Sequence, residues 1–389
     1  MPTPPFAARL QQIEPFHVMR ILADAQALEA AGRDVIHLEV GEPDFATPQP
    51  IVDAGMRALA ERKTFYTGAC GLPQLREAIA GFYADRFGVR VDPARIVVTP
   101  GASGALQLIL ALLVGRDDEV LLTDPGYPCN RHLVSLFEGR PVNVPVGPDT
   151  RYQLSADALA AHWTDRTVAA LVASPANPTG TVLEPTELAA LAAASRARGG
   201  QLIVDEIYQG LVYGRPHETV LSVADDVFVV NSFSKFFQMT GWRLGWLVAP
   251  QWAVPALEKL AQNLFLAPPT PAQHAALAAF QPATLAILEQ RRQELAGRRD
   301  VLAAGLQALG LAIPCLGDGA FYLWADASGH TSDAADFAAR LLAEQAVAVT
   351  PGLDFGLAPT MLRFAYTQPV HRLDAALQRI AQFCDRRLS

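Results

Sequence analysis

The chain has 389 residues, 51% of them hydrophobic and 18% charged, long enough for a large core shared between one large and one smaller domain. A formal net charge of -8 gives no basic field of the kind that holds nucleic acid. Four scattered cysteines (Cys70, Cys129, Cys315 and Cys384) form no CxxC pair and show no metal-ligand spacing, which argues against a disulfide framework or a metal site and fits a reducing compartment.

The opening MPTPPFAARL has neither a basic n-region nor an apolar h-region, so no secretory signal is read there. The apolar run at 105–114 is too short to span a bilayer. A soluble cytoplasmic protein with no membrane partner is expected. Helical periodicity runs through Phe16, Met19, Leu22, Ala23 and Leu28 and ends near Gly32. A strand over 35–40 then leads into GEPDF, where Gly41 lets a backbone or ligand approach closely and Pro43 forces a turn. Taken alone, GEPDF fits a domain-crossing loop. Helices are predicted over 51–59 and 72–87, and between them Tyr66 sits in a loop ending at Gly68, its hydroxyl free to bond something.

From residue 96 the chain alternates short β-rich runs (96–98, 120–122, 142–144, 168–172, 202–204, 227–230 and 244–248) with helical patterns such as 104–114, 130–137 and 187–198. Such alternation predicts a mostly parallel sheet covered on both faces, with ligands bound beyond the carboxyl ends of its strands. Polar residues fall at those ends. Thr99 to Gly104 follows a strand and opens a helix, so its free N–H groups can hold a phosphate, although it is no GxGxxG. Tyr127, between turn residues, either presents a ring face to a flat ligand or packs at a helix start. Asn177, wedged between prolines, has an amide that can donate to an oxygen. Asp205 directly follows a buried strand and is costly to desolvate without a cation, unless it is an N-cap or part of a structural ion pair. Tyr208 reaches the same space if the chain turns helical there.

The stretch VFVVNSFSKFFQMTGWRLGWLV, residues 227–248, is the centre of the reading. Lys235 stands at the mouth of a strand between Ser232, Ser234 and Arg243. A lysine is a nucleophile only when its ammonium is desolvated or held near another cation, and Arg243 supplies a cation that can also grip a phosphate with a forked guanidinium. A surface lysine in a turn is the plain alternative. In the last third, helices are predicted over 270–280, 283–309 and 333–345, with a strand over 347–350 and a final helix from about 369. Arg363 lies in an apolar strand, where an unpaired guanidinium is expensive, and a buried salt bridge to a nearby acid is its plain reading.

The ordered set GASGAL, DPGY, SPANPTG, VDEIY, SFSK and MTGWRLGW resembles the class I/II aminotransferases, pyridoxal-phosphate enzymes of fold type I in the aspartate aminotransferase superfamily. The likeness runs from GEPDF to LRFAYT and is nearest to the bacterial aspartate, aromatic and branched-chain-type branch. It implies an α/β fold: a large domain at 46–284, with a mostly parallel seven-stranded sheet between helices, and a smaller α+β domain made of 285–389 and the arm 1–45. It further implies that Lys235 forms a Schiff base with pyridoxal 5'-phosphate and shuttles the Cα proton. Asp205 would hold the pyridine nitrogen protonated. Tyr208 and Asn177 would bond the phenolic oxygen, and Tyr127 would stack on the ring. Ala102, Ser103, Ser232, Ser234 and Arg243 would hold the phosphate, joined by Tyr66 from the second subunit of a homodimer. Arg363 would clamp the substrate α-carboxylate with Asn177 and the Gly41 amide.

Dicarboxylate-specific relatives need a second cation near the N-terminal helix or the GASGAL turn. Here those places carry Phe16, His17, Val18 and Ser103, and the later wall offers Phe321 and Tyr322. The expected activity is therefore that of a transaminase moving the amino group of a neutral, aromatic or aliphatic α-amino acid to a 2-oxo acid, 2-oxoglutarate or pyruvate, through a pyridoxamine phosphate intermediate. A C–S β-lyase or decarboxylase on the same lysine, or a non-catalytic regulator of the same fold, are the alternatives.

Overall fold

The computed structural model describes residues 6–15 and 17–388. Phe16, part of the predicted N-terminal stripe and side-chain wall, lies outside the described residues. The strands are β1 (Ile36–His37), β2 (Ile96–Thr99), β3 (Glu119–Asp124), β4 (Arg140–Pro145), β5 (Thr167–Ala173), β6 (Gln201–Asp205), β7 (Phe228–Ser232), β8 (Gly245–Val248), β9 (Tyr322–Asp326), β10 (Val347–Ala348), β11 (Thr350–Pro351) and β12 (Met361–Ala365).

The seven predicted runs of the middle region form one sheet in the order β2-β8-β7-β6-β5-β3-β4. Its strands are parallel except β8, which runs against both neighbours. Successive residues point to opposite faces, and both faces are covered. Val97, Ile203 and Val230 pack with Ala105, Ile109 and Leu257 of the helices Gly101–Leu113 and Val254–Leu264. Their neighbours Val98, Val204 and Val229 pack with Leu75, Ile79, Leu188 and Leu191 of the helices Pro73–Phe87 and Pro185–Arg196. Each such fully buried aliphatic side chain contributes roughly 1.5–3 kcal/mol.

The C-terminal part builds an antiparallel sheet, β11-β12-β9, and β10 pairs in parallel with β1. Two expectations change here. The strand predicted over 347–350 is two short strands in different sheets, since Val347 and Ala348 pair with β1 whereas Thr350 and Pro351 pair with β12. The strand predicted over 35–40 keeps only Ile36 and His37, because beyond them the Leu38 carbonyl turns to the Ala365 N–H at the end of β12 and the Glu39 and Gly41 carbonyls accept from the Arg363 and Lys235 side chains.

The inner face of the N-terminal helix His17–Ala30 shares Leu28 with the predicted stripe but otherwise differs from it. Ile21, Ala25 and Leu28 pack on Val35, Leu342, Ala346 and Ala348, whereas Met19 and Ala23 are exposed. The helix between β2 and β3 begins at Gly101, three residues ahead of the predicted start, because its first turn is made of small residues that carry no apolar period. Among the described residues no helix is long and apolar enough to cross a membrane.

Candidate active site

A cavity of about 310 Å³ opens at the edge where β2, β6 and β7 end and β8 begins. The antiparallel direction of β8 matters here, because it brings the residues just before that strand, Arg243 among them, to the edge where the parallel strands finish. Gly41, Ala102, Ser103, Tyr127, Asn177, Asp205, Tyr208, Ser232, Ser234, Lys235, Arg243 and Arg363 all line this cavity. Tyr66 does not: it stands on the surface, 81% exposed.

Lys235 lies in the turn after β7, and the aromatic residues around it hold that turn. Phe233, Phe236 and Phe237 are buried, with the Phe233 ring 4.9 Å from Trp246 and the Phe237 ring 5.3 Å from Phe280. Each pair contributes about 0.5–1.5 kcal/mol beyond the area it buries. The run SKFF thus anchors the lysine on both sides and leaves its amine to the cavity. Nζ donates to the Gly41 carbonyl. Burial pushes the ammonium down to about 8; Arg363 and Arg243 act in the same direction, and Glu42 and Asp205 oppose them.

Asp205, the last residue of β6, is 6% exposed, and its Oδ1 accepts only the Ile207 N–H at 3.0 Å. It has no salt bridge among the described residues, so the predicted alternative of a structural ion pair does not hold. Burial pushes its carboxyl up to about 6, against the Ile207 N–H and the charge of Lys235. Glu206 turns away, accepting from Thr219 Oγ1 and the Val220 N–H. The chain after Asp205 forms turns rather than a helix, yet Tyr208 still reaches the cavity, where its hydroxyl meets that of Tyr322 at 2.8 Å.

The other end of the cavity is a cluster of donors. Ala102 and Ser103 lie in the first turn of the helix Gly101–Leu113, whose leading N–H groups have no partner within the helix. Ser232 Oγ lies 2.9 Å from Ser234 Oγ and accepts the Ser234 N–H at 3.0 Å. Two glycines permit the close packing: a Cβ on Gly101, whose φ is +71°, would lie 2.5 Å from Arg243 Nη2, and one on Gly245 would lie 2.8 Å from the Ala102 nitrogen. Arg243 donates Nη1 to the Thr240 carbonyl at 3.1 Å and has no salt bridge among the described residues.

Arg363 is 2% exposed. Its Nη1 donates to Asn177 Oδ1 at 2.9 Å, and its Nη2 donates to the Glu39 carbonyl at 2.5 Å and Thr350 Oγ1 at 3.4 Å. The guanidinium lies 4.3 Å from the Tyr322 ring centroid and 4.7 Å from that of Phe355. No carboxylate pairs with it among the described residues, so the buried salt bridge that the sequence left open is absent. A buried cation without a counterion costs several kcal/mol, and this one faces a cavity where an anion can supply the missing charge.

Two groups escaped the sequence reading. Glu42 lines the cavity, accepts from Thr240 Oγ1 and holds the Lys235 ammonium up, and as an acid in a polar turn it carries no sequence signal of that role. Tyr322 was placed only in a side-chain wall, although it touches both Arg363 and Tyr208.

The family model described as aminotransferase class I and II matches residues 33–380. Valine–pyruvate aminotransferase of Mycobacterium tuberculosis is 39% identical, with 95% of this chain and 96% of that protein aligned. Among solved structures, an aminotransferase from Mycobacterium tuberculosis superposes with a TM-score of 0.95 at 38% identity, covering 99% of this chain and 100% of that one. Aspartate aminotransferase of Thermus thermophilus with maleate gives a TM-score of 0.93 at 35% identity, covering 98% and 100%.

Proposed function

Because the chain belongs to the class I and II aminotransferase family, whose members depend on pyridoxal phosphate, we propose that it moves the amino group of a neutral α-amino acid to a small 2-oxo acid, with pyridoxal 5'-phosphate held in the cavity beside Lys235. The observation that carries this reading is the unpaired, buried Arg363 guanidinium facing the same cavity as an amine pushed down to about 8. One suits an α-carboxylate, the other an amine that must be free near neutrality.

The lining residues fit the cofactor. Asp205 is a buried carboxylate without a cation, which a protonated ring nitrogen would supply. The Ala102 and Ser103 amides, Ser232, Ser234 and Arg243 fit a phosphate, and Tyr127 offers a ring face. Asn177 gives its Oδ1 to Arg363, which leaves its NH2 to donate, with the Tyr208 hydroxyl, to an oxygen on the ring. When bound, the group supplies an aldehyde that takes up amines and a ring that accepts the electron pair left at the substrate Cα. Arg363, with Asn177 and the Gly41 amide, would orient the substrate by its α-carboxylate, and Lys235 Nζ would take the Cα proton and return it one position further on.

Support for a neutral side chain comes from the cations. Among the described lining residues these are Lys235, Arg243 and Arg363, and each already has a task. A distal carboxylate would meet buried Val18 or Leu106, which offer no partner in exchange for its water. Of the two acceptors, pyruvate therefore fits better than 2-oxoglutarate. The valine–pyruvate relative supports the same choice.

Exposed Tyr66 and its neighbour Phe65, 82% exposed, are surfaces for a second copy, whose cavity Tyr66 would reach in a cytoplasmic homodimer. The proposed division is an arm at 1–45 grouped with 285–389, and a large domain at 46–284. The test is to mix cofactor-loaded protein with single amino acids and no acceptor, following visible absorption, keto acid and ammonia. One equivalent of keto acid with loss of the visible band is expected. Sustained ammonia release would mean a C–S β-lyase, and a hundredfold preference for aspartate over valine, leucine and phenylalanine would sink the neutral-donor reading.

A further inference from the structure

We propose that Tyr322 is a positioning residue that ties the carboxylate clamp to Tyr208: its ring carries the Arg363 guanidinium and its hydroxyl donates to the Tyr208 oxygen. This rests on the functional reading above.

The placement follows from strand register. Arg363 stands opposite Trp324 in the β9–β12 ladder, so Tyr322, two residues back, is its diagonal neighbour on the same face. The Tyr322 ring then lies 4.3 Å from the guanidinium carbon, and the side chain is 2% exposed. Its hydroxyl reaches Tyr208 Oη at 2.8 Å, the two rings meeting edge to face at 79°. Room for that hydroxyl exists only because residue 41 is glycine, since a Cβ there would lie 2.1 Å from Tyr322 Oη. Gly41 is also the residue whose carbonyl holds Lys235 Nζ.

Counting protons gives the hydrogen bond a direction. A phenol has one proton. If Tyr208 spends its own on the ring oxygen of the cofactor, its oxygen must accept from Tyr322. A donor that is itself a polarised acceptor is a stronger donor, so Tyr322 strengthens what Tyr208 does. The face of the same ring stabilises a cation that has no carboxylate partner.

Two variants of the full-length, cofactor-loaded protein separate these tasks. Tyr322→Phe keeps the ring and removes the hydroxyl, and the pH midpoint of the change in visible absorption is expected to rise by about 0.5 unit, since Tyr208 then favours the deprotonated ring oxygen less. Binding of 3-methylbutanoate, a substrate-like carboxylate that cannot react, should stay within about twofold in that variant. Tyr322→Leu removes the ring, and binding of the same carboxylate should weaken roughly tenfold. An unchanged midpoint in Tyr322→Phe, or unchanged carboxylate affinity in a folded Tyr322→Leu, overturns the proposal. Should Tyr322→Leu fail to fold, the midpoint in Tyr322→Phe decides alone, and a purely structural role would lower its melting temperature without moving that midpoint. Wild-type protein with neither a pH-dependent visible band nor carboxylate affinity would overturn the functional reading, and this proposal with it.

Discussion

Replacing Lys235 with methionine should make the cofactor-free protein more stable at pH 7, and the gain should fade as the pH rises. The ammonium, ordinarily near 10.5, is pushed down to about 8, mainly because the fold takes it out of water. At pH 7 the amine is protonated in both folded and unfolded chains, and the folded state bears the full cost of a desolvated charge. Between pH 8 and 10.5 the unfolded chain still holds the proton that the folded chain has released, so wild-type stability climbs relative to the methionine variant. The shift corresponds to roughly 3 kcal/mol as an upper bound, and about 2 kcal/mol is expected because the amine opens onto the cavity. Urea denaturation of both cofactor-free proteins at pH 7, 8.5 and 10 measures the difference. The constant offset from exchanging the side chains cancels between pH values, as do titrating groups remote from Lys235; Asp205, whose carboxyl the Lys235 charge holds down, titrates mainly below this pH range. A stability difference that stays the same from pH 7 to 10 would refute the claim that the fold holds this amine in an unfavourable charge state.

Arg363→Ala should raise KM about a hundredfold for every amino acid tested, because the lost contact is to the carboxylate they share; a loss confined to some donors would place Arg363 on the side chain instead. Asp205→Ala should weaken cofactor retention, measured by dialysis, and lower kcat about a thousandfold, and undiminished turnover would remove its role. Cofactor-free Asp205→Asn should be more stable than wild type above pH 6 and lose that advantage towards pH 4. The carboxyl is pushed up to about 6 by burial, so the folded wild type bears an unfavourable charge only above that value. Gly101→Ala puts a Cβ at positive φ, 2.5 Å from Arg243 Nη2. It should cost roughly 1–2 kcal/mol in strain and weaken cofactor affinity by displacing that arginine, read by thermal melting and by dialysis.

Much of the central sheet is legible in the sequence because its information is local. Val97 and Val98, or Val229 and Val230, are apolar on both faces, which happens when helices cover a parallel sheet from both sides. The polar residues that end those strands then need no tertiary information to be placed together, since the topology brings their carboxyl ends to one edge. Arg243 needed one further fact, the reversed direction of β8, and the expectation of a mostly parallel sheet left that direction open. The N-terminal helix was misread for a related reason. Its true inner face contains Ala25, while Met19, the stronger apolar signal, is 55% exposed beside the cavity.

What the sequence hides are contacts made by backbone, or between residues far apart in the chain. Glu39 and Gly41 give carbonyls to Arg363 and Lys235, and any residue type has a carbonyl, so nothing in EVGEPDF marks that use. Tyr208 and Tyr322 are separated by 114 positions, and nothing local to either shows that their hydroxyls meet. Yet these contacts decide the character of the site. The two carbonyls belong to one short segment, which therefore ties the carboxylate clamp to the amine. Both cations are held by neutral oxygens, with no carboxylate paired to either in a salt bridge among the described residues, and so keep their charge available to a ligand. A carboxylate at either carbonyl position would quench the cation it held. The short, diverted strand at residues 36–37 is therefore a consequence of the site: backbone that would have extended the ladder is used to hold two cations without neutralising them.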